Sequence, residues 1–308
     1  MSVFSLALLS PLTPHLLSRN TMQQLMARMT ADRQILAILL LILGNLTISF
    51  GDVVVKLLGQ TQVTPYQYIA LRFLMTSLLL LPFWLRLAPE KKGWGQWKVH
   101  LIRGHLLLFG SICVFISLMY LPLATANAVF YAAPLMTLPL AALLSKEKVR
   151  PAAYGVSLLG FGGILLVLNP GQWHWAGWLA LFTAFSMAAS NVLVRRLPQG
   201  RSVLATLFLT QALAIPVGFA LAIPGWQPLN GEIWLLLIGI SLIGIVYQGA
   251  CILAYAMADA SKIAASEYSG LLFVTVMGML MFNEFPALHV YLGAAVVIIA
   301  IGLQRKLK

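Results

Sequence analysis

Long apolar segments separated by short polar breaks fill the chain from residue 34 onward. Each segment has about twenty residues, which at about 1.5 Å per residue crosses the roughly 30 Å hydrocarbon core of a bilayer. Some of the connections between segments have only a few residues. The pattern therefore predicts an all-α integral membrane protein with ten closely packed transmembrane helices, over residues 34–57, 65–85, 103–121, 125–144, 151–168, 175–194, 202–223, 233–254, 262–282 and 287–304.

Composition and charge support this class. Hydrophobic residues make up 60% of the chain and charged residues 9%, which is too few to cover a soluble globule. With the N-terminus placed inside, 18 of the 20 Lys and Arg residues fall in the inner segments, and the other two are Lys56 and Arg72. Because basic residues collect in cytoplasmic loops, we predict a multi-pass protein of the bacterial inner membrane with both termini in the cytoplasm. The net charge of +12 is then topological, so no nucleic-acid partner is expected.

The first 33 residues are expected to form a cytoplasmic tail. The apolar run over residues 3–12 is too short to span a bilayer and has no basic residue before it, so it indicates neither a signal peptide nor a membrane crossing. Residues 1–30 are predicted to be disordered or to lie on a surface. Met22 and Met29 lie just before the first span, which leaves open a translation start downstream of Met1.

The two halves of the chain resemble each other. A shift of 137 positions places Tyr131 on Tyr268, and a shift of 139 places Asp52 on Asn191. Since each half holds five predicted spans, an odd number, the second half enters the membrane from the opposite side, which makes the repeat inverted. The predicted organisation is a tail over 1–33 and two five-helix repeats over 34–171 and 172–308.

Three charges lie inside or at the edge of the first two apolar segments: Asp52, Lys56 and Arg72. A charge within a span costs roughly 2.5–3.5 kcal/mol on insertion scales and is rarely kept without a task. By helical rise, Asp52 lies about 6 Å and Arg72 about 10 Å inside the outer boundary, close enough in depth to pair. They form either a structural ion pair or a gate or binding site, whereas Lys56 is interpreted as an anchor that reaches the membrane surface.

A fourth charge, Glu267, lies about 7 Å inside the inner boundary by the same rise. It is the candidate for binding a coupling proton or a cationic group, a role that Asp52 could share. Glu147 and Glu284, at the ends of the fourth and ninth segments, are interpreted as solvated or helix-capping residues. The cavity is expected between the Asp52 and Glu267 levels.

Polar and aromatic residues add a second group of candidates. Tyr131 and Tyr268 occupy matched positions in the fourth and ninth segments, and Asn191 matches Asp52. These groups could line a pocket for a ring-bearing or zwitterionic solute, although a packed helix contact would look the same. Pro134 and Pro139 are expected to break the hydrogen-bond ladder beside them.

The sequence does not support an enzymatic function. The sequence contains no phosphate-binding loop, no HExxH or GxSxG motif and no metal-ligand spacing, so we expect no enzyme, no metal site and no cofactor. Glycine runs such as the one over residues 155–163 suit close helix packing without a ligand.

Four stretches resemble the EamA-type carriers of the drug/metabolite transporter superfamily: DVVVKLLGQTQVTPYQYIALRFLMTSLLLLPFW, HLIRGHLLLFG, YLPLATANAVFYAAPLMTLPLAALLSKEKV and FNEFP. The resemblance covers residues 34–304. It implies ten helices in two inverted five-helix repeats, cytoplasmic termini and gradient-driven transport of small metabolites. Within it, S-adenosylmethionine carriers look most similar, followed by riboflavin carriers and metabolite exporters.

Particular residues carry this resemblance. The Arg-Phe pair of the family's second helix matches Arg72 and Phe73, and the Lys near the end of its first helix matches Lys56. Where many members have a Glu-Pro pair in helices four and nine, this chain has Ala133-Pro134 and Glu267-Tyr268. Any role of that pair in the family is therefore not carried over intact.

The resulting hypothesis is a secondary transporter that moves a small zwitterionic or ring-bearing metabolite by alternating access around a central cavity. Three other functions stay open: a non-transporting scaffold or assembly protein, an exporter of drugs or metabolites of unknown identity, and a channel. The lipid bilayer and a small-molecule substrate are the expected partners, and a homodimer is compatible with the sequence. The site residues of this hypothesis are Asp52, Arg72, Tyr131, Asn191, Glu267 and Tyr268.

Overall fold

The computed structural model describes residues 19–145, 151–169, 171, 174–194, 197, 202–257, 266 and 268–306. These residues form helices and short connections, without any strand among them. The all-α membrane fold predicted from the hydrophobic pattern is confirmed. Seven apolar helical stretches within this part of the chain are long enough to cross a membrane, and three more apolar helices are shorter. The count of ten spans stays a prediction.

The helices have the following bounds, in chain order: α1 (Arg19–Leu58), α2 (Pro65–Leu85), α3 (Trp97–Tyr120), α4 (Leu123–Phe130), α5 (Ala133–Ser145), α6 (Pro151–Leu168), α7 (Ala176–Val194), α8 (Val203–Ala212), α9 (Ile215–Ala222), α10 (Gly231–Met257), α11 (Ser269–Phe282) and α12 (Leu288–Lys306).

The first helix begins earlier than the sequence pattern suggested. Helix α1 runs without a break from Arg19, so residues 19–30 are neither disordered nor a separate surface segment. The part of α1 with the length and hydropathy of a membrane span is Asp32–Leu58. Polar residues extend the helix because they do not interrupt its hydrogen-bond ladder, whereas a hydropathy pattern detects only the apolar part. Residues 1–18 lie outside the described part of the chain.

Two predicted spans are broken into two helices each, and a proline explains each break. Pro134 is the second residue of α5. Its ring would clash with the carbonyl group of the residue four positions earlier, so α4 and α5 cannot form one unbroken helix. The chain therefore leaves the helix at Tyr131 and Ala132. Pro216 has the same position in α9 and separates it from α8. Pro139, by contrast, lies inside α5 without ending it.

The most extensive helix contacts join the first half of the chain to the second. Helix α1 packs on α10 and α11, α3 packs on α7, and α6 packs on α12. Helix α7 also packs on α5, which mirrors the contact of α1 with α11. The halves are thus interleaved, and α4, α5 and α11 lie where the two halves meet.

Glycines allow the close contact between α6 and α12. A Cβ atom at Gly293 of α12 would lie 2.5 Å from the Gly163 carbonyl oxygen and 2.7 Å from the Val167 amide nitrogen of α6. Because backbone atoms cannot rotate away, only glycine fits at this crossing. The glycine run predicted to serve packing does so at Gly160 and Gly163, whereas Gly162 faces open space.

Candidate functional site

Two tyrosines lie next to helix ends. Tyr131 lies between α4 and α5, and Tyr268 lies immediately before the first residue of α11. Their ring centroids are 6.3 Å apart, with the planes tilted by 47°. The structure thus brings together the two tyrosines that the internal repeat relates.

Helix α1 is joined to the start of α11 by polar contacts. The Asn45 side-chain amide donates to the Ser266 carbonyl at 2.9 Å and to the Ser269 hydroxyl at 3.1 Å. The Ser49 hydroxyl lies 3.3 Å from the Gly270 carbonyl. A side chain at Gly270 would collide with the Tyr131 hydroxyl. This glycine therefore permits α11 to approach the break between α4 and α5 closely.

Replacing Asn45 by leucine is expected to loosen this junction. Asn45 is buried, and its loss leaves the Ser266 carbonyl and the Ser269 hydroxyl without these bonds, which costs about 2 kcal/mol. For a chain of this size we expect a melting temperature lower by about 5 °C, measured in detergent by the fluorescence of an unfolding dye. Thr47→Ala is the matched control, because the Thr47 hydroxyl bonds only to Leu43 of its own helix. Equal melting temperatures for the two variants would contradict the expectation.

A charged cluster lies further along α1. The Asp52 carboxylate faces the side-chain amide of Asn127 on α4, and Arg72 on α2 is the cation whose field acts on it. Arg72 donates to the Tyr68 hydroxyl at 3.3 Å, and its guanidinium carbon lies 5.9 Å from the centre of the Tyr68 ring. Asp52 and Arg72 are both partly exposed, and they do not form a direct ion pair with each other.

The ion pair in the described part of the chain is instead Lys56 with Glu284, and the two residues are 228 positions apart. The Lys56 ammonium also donates to the Leu121 carbonyl at 2.9 Å and lies 5.3 Å from the centre of the Phe282 ring. Its side chain is only 10% exposed. The interpretation of Lys56 as an anchor reaching the membrane surface is therefore wrong, because the ammonium is turned into the bundle.

Glu284 also caps a helix, as expected, but the helix is α4 rather than the one that precedes it in the chain. Its carboxylate accepts from the backbone N–H of Leu123, the first residue of α4, at 2.8 Å. Helix α11 ends at Asn283, whose left-handed backbone (φ 53°) turns the chain so that Glu284 points back. Gly278 leaves the room this requires, because a Cβ atom there would lie 3.3 Å from the carboxylate. The expectation of a solvated Glu284 does not hold; Glu147 lies outside the described residues.

A second buried cation lies near the opposite end of the bundle. Arg103 of α3 donates to the Ser190 carbonyl and hydroxyl at 3.1 and 3.2 Å, and to the Thr210 hydroxyl at 3.2 Å. Thr210 is 3.5 Å from the His100 ring nitrogen, and both residues are buried. The sequence pattern counted Arg103 as a loop charge; the early start of α3 at Trp97 places it inside the helix instead.

The remaining predicted site residues are placed less centrally. Asn191 is exposed on α7, next to the buried Ser190, and no described contact joins it to the charged cluster. Glu267 lies outside the described residues. Among the residues that were described, no group of histidine, cysteine, aspartate and glutamate side chains could hold a metal ion.

Comparison with known proteins gives a consistent result. The sequence profile of the EamA-like transporter family matches residues 35–169 and again residues 174–304. A riboflavin transporter of Vibrio cholerae is 30% identical over 80% of this chain and 82% of its own length. An S-adenosylmethionine uptake transporter of Rickettsia prowazekii is 28% identical over 83% of this chain and 88% of its own. A pseudopaline exporter of Pseudomonas aeruginosa is 26% identical over 68% and 75%.

A solved structure shares the fold. It superposes with a TM-score of 0.53 and covers 90% of this chain and 99% of its own, at 20% identity. At that identity, the likeness concerns the arrangement of the helices alone.

Proposed function

Because this chain belongs to the EamA-like transporter family and is a small-molecule membrane transporter rather than an enzyme, we propose that it is a secondary carrier for a zwitterionic metabolite. It would work by alternating access, with the two interleaved repeats rocking around a site near the middle of the membrane. The named relatives act on different solutes and in both directions, so the choice of solute has to come from the site.

The charged cluster is the observation that carries this choice. Asp52 and Arg72 have opposite charges and are partly exposed, and Asp52 lies in the field of Arg72 without a direct ion pair between them. Charges within a membrane span are costly unless each finds a partner. A zwitterion supplies both: its carboxylate would bind the Arg72 guanidinium, and its ammonium group would bind Asp52 beside Asn127.

S-adenosylmethionine is the first candidate, since it combines an α-amino acid end with a purine ring. The ring would lie on the tyrosine pair, Tyr131 and Tyr268, whose centroids are 6.3 Å apart. Riboflavin is the second candidate. Its large flavin ring system suits the same tyrosine pair, but a flavin has no ammonium group for Asp52 to bind.

Orientation and coupling complete the proposal. We place the protein in the bacterial inner membrane with both termini in the cytoplasm, supported by the 18 basic residues on the inner side. The end of the bundle that carries Lys56 and Glu284 then faces outward, and the Arg103 end faces the cytoplasm. Glu267, with Asp52, is proposed to carry a coupling proton or a cationic group of the solute.

Uptake into proteoliposomes tests the proposal. Labelled S-adenosylmethionine, riboflavin and a pool of amino acids are offered to the wild type, to Arg72→Ala and to Arg86→Ala at matched insertion. We expect saturable uptake of a zwitterion that falls about thirtyfold in Arg72→Ala. Arg86 is exposed at the C-terminal end of the same helix, so Arg86→Ala should transport normally.

Other results would favour the rival functions. Uptake that does not saturate and needs no counter-solute or gradient would indicate a channel. Equal uptake by Arg72→Ala and Arg86→Ala would remove Arg72 from the site. Absence of any flux in wild type, with and without gradients, would favour a scaffold.

A further inference from the structure

The Lys56–Glu284 ion pair connects the two repeats of the family. Lys56 belongs to the part of the chain matched over residues 35–169, and Glu284 belongs to the part matched over 174–304. Both side chains also bind the short turn between α3 and α4, through the Leu121 carbonyl and the Leu123 N–H. One cluster therefore ties together α1, α11 and the start of α4 at the end of the bundle that we assign to the outside.

We propose that this ion pair is the outer gate of the transport cycle, closed in this structure, and that Lys56 changes partner from Glu284 to Asp52 when the gate opens. The gate presupposes the carrier function proposed above and adds the residues that control access to its site. Neither Lys56 nor Glu284 is needed to contact the solute in the closed state, since their contacts are with each other and with the α3–α4 turn.

Burial makes such a pair suitable for two distinct states. The side chains of Lys56 and Glu284 are 10% and 20% exposed, and the Phe282 ring lies beside the ammonium group. Separating a buried ion pair strands two charges, so intermediate positions are unfavourable and the pair is either formed or replaced by other partners. Opening toward water rehydrates Glu284 as α11 and α1 separate at this end.

Asp52 offers Lys56 its replacement partner. The two residues are four positions apart on α1 and therefore lie on one face of the helix, with the acid on the N-terminal side, which is the favourable order for such a pair. In the closed structure, Asp52 faces Asn127 and the field of Arg72, while Lys56 is held by Glu284. Lys56 thus lies between two carboxylates, one in the gate and one in the binding site.

This exchange would couple solute binding to closure. In the open state Lys56 neutralises Asp52; the cationic group of an arriving solute takes its place, and Lys56 returns to Glu284. Helix α4 takes part in both events, because Leu123 at its start binds Glu284 and Asn127, one turn later, faces Asp52. Asn127 is itself bonded to the Leu123 carbonyl at 3.2 Å.

Thiol labelling measures the gate without requiring flux. The two cysteines of the sequence, Cys113 and Cys251, are replaced by alanine, and Asn127→Cys serves as the reporter because position 127 lies one turn inside the gate. Intact spheroplasts are treated with a membrane-impermeant cationic thiol reagent, and the labelling rate is compared among variants that also pass a size-exclusion and melting test.

The proposal predicts changes of opposite sign for two substitutions of the same kind. Glu284→Gln removes the partner of the closed state and should raise the labelling rate about tenfold. Asp52→Asn removes the partner of the open state and should lower the rate about threefold. Glu232→Gln, at an exposed position in the first turn of α10, is the matched control and should not change it.

A chemical cross-link provides a second measurement of the same gate. Lys56→Cys and Glu284→Cys are introduced together, the folded protein is treated with a short bis-maleimide, and the cross-linked protein should lose uptake of the solute found in the flux assay. A double charge swap is less suitable, since the backbone groups of Leu121 and Leu123 would each face a charge of the wrong sign.

Each other outcome overturns a defined part. Unchanged labelling in Glu284→Gln overturns the gate, and labelling from the cytoplasmic face alone overturns its assignment to the outer side. A rise in Glu284→Gln with no fall in Asp52→Asn overturns the change of partner. If the labelling pattern is as expected but no solute is transported, the change of partner stands, whereas the carrier function and its transport gate fail.

Discussion

Gly293→Val is expected to abolish folded protein. The new side chain on α12 would meet the Gly163 carbonyl 2.5 Å away and the Val167 amide 2.7 Å away, both of which belong to the backbone of α6. Neither neighbour can rotate aside, so the two helices would have to separate along one of the most extensive contacts of the bundle. We expect a cost of about 3 kcal/mol or more, a large share of the stability of a typical protein.

The measurement is the yield of monodisperse protein by fluorescence-detected size-exclusion chromatography, followed by the melting temperature of whatever is recovered. Gly302→Val is the matched control, because it puts the same side chain on the same helix where nothing lies within 4 Å. If Gly293→Val elutes and melts like Gly302→Val, the contact between α6 and α12 is not as tight as the structure has it.

Asp52→Asn is expected to lower the uptake of a zwitterionic solute about a hundredfold. The substitution keeps the size of the side chain and its position beside Asn127, but removes the charge that the ammonium group of the solute would meet. Truncating one partner of a buried charge pair costs roughly 2–5 kcal/mol, and each tenfold loss corresponds to about 1.4 kcal/mol. The effect should appear mainly as a higher KM.

Asp32→Asn is the control for this variant, since Asp32 lies on the same helix and is exposed. Uptake is measured in proteoliposomes over a range of concentrations, so that KM and the maximal rate can be separated. The uptake of a solute without an ammonium group should not change in this variant. A normal KM for the zwitterion in Asp52→Asn would exclude Asp52 as its binding partner.

The spans and one of the helix breaks could be predicted because they depend on local chemistry. Apolar segments of about twenty residues have few alternatives to a membrane helix, and Pro134 cannot take part in an uninterrupted ladder wherever it is placed. The repeat allowed Tyr131 to be matched with Tyr268, and the structure brings the two rings together.

The ion pair and the buried arginine could not be predicted in the same way. The sequence gives no sign that Lys56 meets a carboxylate 228 positions away, and a basic residue at a helix end usually does reach water. Arg103 was counted with the loops because its span was taken to start there, while α3 begins six residues earlier. The left-handed backbone of Asn283, which directs Glu284 back toward the bundle, cannot be predicted from hydropathy either.

The interleaving of the two halves has a consequence for synthesis at the ribosome. Helix α6 finds its main neighbour in α12, and α1 finds its own in α10 and α11, all of which are translated much later. The early helices must therefore wait in the membrane with small residues such as Gly163 facing lipid, where insertion chaperones and quality-control proteases can reach them. A gene cut between the repeats would yield two fragments whose helices each lack their main packing neighbours.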